Sequence, residues 1–331
     1  MNSSLLLLYG RTNRHLGLWK DLEHDPRVVM RCVDFNLYPK LIRGFRRVFL
    51  SCIDKLRLPY RHMWCQHRDL FKIIQGVNQL LIIDGALNNI DICELEECRK
   101  LNSDLTISLY LINSVKAQSP VMRGVVPKIS RFAWDKIYTF DPEDAEECGF
   151  VYSGFNYYSK QISNQTIEVN NDIYFVGGLK GGREEQIYKI YKYLNSHQVK
   201  CMFDLMTFGR KDYTSLDGIN YIMKWRPYSE VLQNVMQSKC ILEINQKGQK
   251  GATLRYFEAI TMNKKLLTNN SAVVDFPFYN SKWIKIINSL EDIDLDWIKA
   301  DEQIDYGYQD EFSPIHLIDF ILENSKKNKK I

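Results

Sequence analysis

Ile241-Leu242-Glu243-Ile244-Asn245, then Gln249-Lys250-Gly251-Ala252-Thr253-Leu254-Arg255-Tyr256-Phe257-Glu258-Ala259-Ile260, then Lys265-Leu266-Leu267-Thr268 is the stretch on which the fold turns. It reads as strand, glycine-bearing loop, helix and strand. A helix that starts just after a glycine loop leaves unpaired N–H groups at its amino end, where its dipole also favours negative charge. Lys250 and Arg255 flank that point, and Glu258 lies one turn beyond Arg255 on the same helical face. Such a cradle suits a nucleoside diphosphate, with phosphates at the helix end and ribose hydroxyls on the carboxylate. A surface ion pair between Arg255 and Glu258 fits the same spacing and contributes only a few tenths of a kcal/mol. Position directly after the glycine loop favours the functional reading.

Working outward, a second glycine loop occurs in the same half. Asp172-Ile173-Tyr174-Phe175-Val176-Gly177-Gly178 is a strand that runs into Leu179-Lys180-Gly181-Gly182-Arg183. The glycines let a backbone approach a phosphate, and Lys180 and Arg183 supply charge. The loop is neither a Walker loop nor GxGxxG, and a plain strand-to-helix turn fits it too. The alternation continues with a helix over 183–194 and strands over 200–206 and 219–224. A helix over 228–238 follows, and further helices are expected over 283–290 and 314–324.

The first half alternates in the same way. Leu5 to Tyr9 is a buried-type strand, followed by a polar loop that contains His15. Strands are expected over 28–35, 79–85, 105–112 and 134–140, with a helix over 92–101. The apolar pattern lapses between about residues 155 and 171. These patterns predict an α/β protein of two doubly wound Rossmann-like domains facing across a cleft, 1–160 and 168–331. Ligands of such sheets bind outside the carboxyl ends of the strands.

At 331 residues, with 45% hydrophobic and 25% charged residues, the chain has the composition of a globular protein. The net charge of +4 is unevenly placed: nine Lys or Arg and two acids lie between Lys40 and Lys72. The apolar residues of that segment recur at helical spacing. The segment fits either docking on an anionic membrane surface or a solvated basic face. Nucleic acid is not expected, because no recognised nucleic-acid-binding motif occurs. Eight scattered cysteines without a CxxC pair suit a reducing cytoplasm rather than a disulfide framework. His62, Cys65 and His67 lack a fourth ligand at a familiar spacing, so no metal is expected. No secretory leader is read, and the apolar run at Leu5 is far shorter than the roughly 20 residues that span a bilayer.

The residues above also carry a resemblance. The pattern formed by Gln249, Gly251, Thr253, Arg255, Glu258 and Ala259 is similar to the Q-x-G-x-T-x-R-x-x-E-A block of bacterial glycosyltransferases of the GT-B fold, which build lipopolysaccharide, O-antigen or capsule. Lys264-Lys265-Leu266-Leu267-Thr268-Asn269-Asn270 resembles the K-K-L-x-T-x-N segment that follows it. Tyr174 to Gly177 with Arg183, and Asp135 to Asp141 with Asp144-Ala145, resemble two further segments. Together the likeness spans about residues 80 to 290.

The resemblance implies a metal-independent hexosyltransferase without a cofactor, cytoplasmic or peripheral at the inner face of the plasma membrane. A UDP-, GDP- or dTDP-sugar donor would be held by the C-terminal domain, and a glycan or lipid-linked acceptor by the N-terminal one. Donor binding falls to Gly177, Lys180, Arg183, Gln249, Gly251, Thr253, Arg255 and Glu258. The general base would be Asp84 or His15, although a turn residue and a solvated loop histidine fit those positions as well. Asn113 stands where relatives often carry an aspartate, and it cannot serve as a base. That departure keeps a second reading open: a non-catalytic module that binds nucleotide or glycan.

Overall fold

The computed structural model describes residues 5–10, 17–33, 69–116, 120–160, 167–179, 182–207, 216–224, 226–246 and 249–327. The chain divides into two compact units. Unit 1 comprises Met1–Phe140, Asp144–Ser153 and Pro314–Ile331; unit 2 comprises Asp141–Glu143 and Gly154–Ser313.

Unit 1 is built on strands β1 (Leu5–Gly10), β2 (Val28–Val33), β3 (Gln79–Ile83), β4 (Thr106–Leu111), β5 (Lys136–Thr139) and β6 (Val151–Tyr152). They form one parallel sheet in the order β2-β1-β3-β4-β5-β6. Leu5, Leu6, Leu7 and Leu8 are all fully buried, as expected of an inner parallel strand covered on both faces. Burying each such side chain stabilises the fold by about 1.5–3 kcal/mol relative to exposure. The covering helices are α1 (Leu70–Ile73), α2 (Asp84–Leu87), α3 (Ile92–Leu101) and α4 (Pro120–Ile129), with α5 (Pro142–Cys148) between β5 and β6. A capping box of Asp91 and Glu94 starts α3. Helix α4 carries Gly124 and Pro127 inside it, and the sequence pattern gives no sign of it, because both residues read as helix breakers.

Unit 2 contains β7 (Asn171–Gly178), β8 (Cys201–Met206), β9 (Ile219–Ile222), β10 (Ser238–Glu243), β11 (Lys265–Thr268) and β12 (Ile284–Ile286). These too are parallel, in the order β12-β11-β10-β7-β8-β9. Its helices are α6 (Glu184–Ser196), α7 (Tyr228–Met236), α8 (Leu254–Thr261) and α9 (Leu295–Lys299). The fully buried Ile173, Leu205, Cys240, Leu242 and Leu267 belong to its core.

One expected element changes type. Residues 283–290, read as a helix, supply edge strand β12, which pairs with β11 through Ile284 and Leu266. The apolar spacing of Trp283, Ile284, Ile287 and Leu290 also fits a helical face, but pairing with β11 overrides local periodicity. The last helix, α10 (Pro314–Lys327), groups with unit 1: Asp319 meets Arg27 at 2.5 Å, and Phe320 packs edge-on against Tyr138. Among the described residues, no helix is long and apolar enough to cross a membrane. Most of the basic segment, residues 40–68, lies outside the described residues.

Each sheet reverses its winding once. The reversal falls between β1 and β3 in unit 1, and between β7 and β10 in unit 2. Open α/β sheets leave a crevice at the carboxyl ends of the two strands flanking such a point.

Candidate functional site

At the unit 2 switch point, β7 ends in Gly177 and Gly178. A Cβ on Gly177 would lie 2.8 Å from the Phe175 ring and 3.0 Å from the Arg183 guanidinium, so no larger residue fits there without displacement. The removed space is filled by Arg183. Its Nε donates to the Gly178 carbonyl at 3.1 Å, and its Nη1 to the Ile244 carbonyl at 2.5 Å, tying together the ends of β7 and β10. Among the described residues no carboxylate pairs with it. Burial, with Arg255 nearby, pushes its pKa down to about 10. A guanidinium held where its charge is costly gains from an incoming anion.

The loop from β10 into α8 is fastened from beneath by Glu243, which is 2% exposed. Its carboxylate accepts from the Thr268 hydroxyl at 2.5 Å and from the Thr253 hydroxyl. Burial pushes the Glu243 pKa up. Thr253 also caps α8, its hydroxyl accepting from Arg255 N at 3.1 Å. The Gly251 amide donates to Asp141 Oδ2 at 3.3 Å. Backbone donors that the sequence aims at an anion are thus partly engaged within the unit. Asn269 Oδ1 receives Asn245 N at 2.7 Å, and Asn270 Nδ2 donates to the Lys250 carbonyl at 2.9 Å, so the turn after β11 holds the rest of the loop.

These elements line an open cavity of about 340 Å³. Arg183 and Lys250 bring positive charge to it, while Gln186, Asn245, Gln246 and Gln249 contribute carboxamides. No acidic residue lines it among the described residues. Lys250 is half-exposed, and its ammonium lies 3.5 Å from Glu143, a pairing that solvent weakens.

Of the sequence-derived donor residues, Arg183 and Gln249 therefore line the cavity, Gly177 makes room for Arg183, and Gly251 and Thr253 shape the loop. Arg255 and Glu258 form an ion pair, Arg255 Nη2 donating to Glu258 Oε1 at 2.5 Å. Neither lines the cavity, and Glu258 is fully buried. The Tyr228 hydroxyl donates to the same Oε1 at 2.8 Å and lies 3.0 Å from the Tyr158 hydroxyl. Burial raises the Glu258 pKa to about 7 against the opposing pull of Arg255. Glu258 Oε2 and Arg255 Nη1 are buried without a partner among the described residues.

Asp204 is a further buried acid that the sequence reading passed over. It sits on β8 and receives Tyr174, Asn220, Arg226 and Asn234. The available signal was an acid inside the apolar run Cys201–Met206. Glu243, Asn245, Gln246, Asn269 and Asn270 were also missed as site residues.

At the unit 1 switch point stands Asp84, fully buried at the end of β3. Its Oδ2 accepts from Ile112 N at 3.1 Å, Asn113 N at 3.0 Å and Asn113 Nδ2 at 2.9 Å. Oδ1 has no partner among the described residues. Burial pushes the Asp84 pKa up to about 6, against those hydrogen bonds. His15 and Lys180 lie outside the described residues, as do His62, Cys65 and His67. Among the described residues no group of His, Cys, Asp or Glu is arranged to hold a metal ion.

No protein-family model matches the chain, and no curated protein matches it. Solved structures do resemble it. The glycosyltransferase SnogD from Streptomyces nogalater is 11% identical, with 81% of this chain and 82% of that one covered and a TM-score of 0.39. The glycotransferase of kitacinnamycin is 10% identical over 90% of this chain and 89% of that one, with a TM-score of 0.46. Phytolacca americana UGT2, complexed with UDP-2fluoro-glucose and pterostilbene, is 11% identical over 90% and 89%, with a TM-score of 0.42. Identities this low transfer no residue roles, and none of these matches points to cell-surface polysaccharide.

Proposed function

We propose that this chain is a glycosyltransferase that takes a sugar from a nucleotide-sugar donor. The observation that carries the reading is Arg183, a half-buried guanidinium that, among the described residues, pairs with no carboxylate and stands on a cavity lined by no acid at the unit 2 switch point. A diphosphate supplies the missing negative charge, and Lys250 adds a second cation. Gln249 contacts the same ligand. Gly177, Gly251 and Thr253 shape its seat, and Lys180 belongs to the same glycine loop. Arg255 and Glu258 pair with each other on α8 in this state, and Glu258 reaches ribose hydroxyls only if its buried Oε2 becomes exposed.

In the transfer, the bond from the anomeric carbon to the leaving phosphate oxygen breaks as a bond to the acceptor oxygen forms. The acceptor proton passes to a base. Fixed cations neutralise the charge that develops on the leaving nucleoside diphosphate, a contribution often among the largest in catalysis. No metal is required for that role in this reading. Asp84 is the candidate base of unit 1, since a carboxyl whose pKa is raised to about 6 accepts a proton more readily than an ordinary one. His15 is the alternative. The acceptor is a glycan or a lipid-linked saccharide of cell-surface polysaccharide assembly, with the basic segment 40–72 resting on anionic lipid.

The test is thermal unfolding with UDP, GDP, dTDP and their sugars. A ligand at a hundredfold excess over its Kd stabilises by about 2.7 kcal/mol, which raises the Tm of a unit this size by about 5–10 °C. No shift with any nucleotide overturns the proposal. A second reading, nucleotide binding without turnover, is favoured by the enclosure of Asp84 and by Asn113. It predicts a shift but no transfer or hydrolysis of any donor.

A further inference from the structure

Two polar atoms beneath the cavity wall are not satisfied by the loop itself. Asn245 is 8% exposed, and its Oδ1 is buried without a hydrogen-bond partner among the described residues. Gln246 Oε1, on the next residue, is in the same condition. Both residues line the cavity, their carboxamide oxygens being covered in this state. The Asn245 side chain is not idle otherwise: its Nδ2 donates to the Gln249 carbonyl at 3.3 Å, which orients Oδ1. A buried acceptor left unpaired is costly, so two adjacent ones at one cavity wall mark a place for donors brought by a ligand.

Several ligand groups carry donors, and the lining discriminates among them. A nucleobase offers N–H groups but also flat apolar faces, which need an aromatic or aliphatic surface. Among the described residues the cavity is lined by Gly, Ser, Arg, Lys and carboxamides, with no aromatic or aliphatic side chain. An ammonium group calls for a carboxylate, and none lines the cavity among the described residues. A sugar hydroxyl gives one proton and accepts others, which suits a wall that offers carboxamide oxygens and N–H groups side by side. Arg183 and Lys250, on the same cavity, receive the phosphate to which such a sugar is attached.

We infer that Asn245 and Gln246 form the subsite for a neutral, hydroxylated sugar, rotation of each carboxamide bringing its unpaired oxygen out to accept from the sugar hydroxyl groups. The inference rests on the proposed function and specifies the donor: a nucleoside diphosphate carrying an uncharged sugar rather than one with a free ammonium group.

Calorimetric titration of the full chain with UDP, GDP and dTDP, each alone and as its neutral hexose conjugate, tests this. The wild type is expected to bind one conjugate about tenfold or more tightly than the matching nucleoside diphosphate. Gln246→Met keeps side-chain volume but removes the acceptor, and it is expected to abolish most of that gain while leaving the nucleoside diphosphate itself unchanged. Asn245→Ser, a smaller change in the same wall, should lower the gain in the same direction. Equal affinity of the wild type for nucleotide and conjugate overturns the subsite while the nucleotide reading stands. Equal weakening of both ligands by Gln246→Met does the same, by placing that side chain at the nucleotide. Absence of binding by every nucleotide overturns both.

Discussion

The two switch points share a topology and differ in charge. In unit 1 the crevice strands end at Gly10 and at Asp84-Gly85, where a Cβ on Gly10 would come within 3.3 Å of the Gly85 backbone. The acid there is sealed and accepts three N–H groups. In unit 2 the strands end at Gly177-Gly178 and Glu243–Asn245, where an arginine donates to carbonyls and an open cavity remains. Parallel winding fixes where a site can lie. Side chains decide whether that place stores a carboxylate or awaits an anion.

The comparison can be broken most forcefully at Glu243. Glu243→Ala strips both Thr253 and Thr268 of their acceptor and is expected to lower unit 2 stability by about 3–4 kcal/mol. Urea unfolding measures it, and a loss under about 1 kcal/mol would show that the loop stands without that tie.

Next comes the pH profile of unit 1. The Asp84 pKa is raised in the folded state, from 3.8 to about 6. Its contribution is complete when both folded and unfolded forms are protonated, and is lost as pH rises from about 4 to 6. The change is on the order of 3 kcal/mol. Asp84→Asn should flatten that slope. A wild-type Tm that climbs through the same window contradicts the buried-acid description. Glu258, raised to about 7, extends the same downward trend in unit 2 toward neutrality.

Arg183→Gln should weaken nucleoside diphosphate binding by about 30-fold, the loss of one charge-assisted contact, as read by calorimetry. Asn113→Asp sharpens the contrast from the other side. It sets a second carboxylate against Asp84 and removes one donor, so a loss of about 2 kcal/mol at pH 8 and little at pH 5 is expected. Thr253→Ala removes the cap of α8 and one of the two hydroxyl donors to Glu243, so a loss of about 2 kcal/mol is expected.

Much of this architecture was legible. Leu5–Leu8 and Ile241–Glu243 read as strands because inner parallel strands are apolar on both faces, and Gly251 announced the start of α8. Gly177 and Arg183 were candidates from the glycine loop, and of the two Arg183 lines the cavity. Contacts between elements left no local trace. Glu243 looked like one polar residue in an apolar run, and its role depends on Thr268, which pairing places beside it. The carboxamides of Asn245, Asn269 and Asn270 became a wall only when the loop closed. The Arg255–Glu258 spacing is the same on a surface as in an interior, so the sequence could not distinguish a solvated pair from one buried beneath Tyr228. At 283–290 a short apolar segment fitted both periods, and the neighbouring strand decided between them.

The most direct test of the central claim is a crystal structure of the chain with a bound nucleoside diphosphate. The account predicts phosphate oxygens in the unit 2 cavity, within hydrogen-bond distance of the Arg183 guanidinium. A nucleotide bound elsewhere, with Arg183 still engaged only with the carbonyls of Gly178 and Ile244, would contradict it.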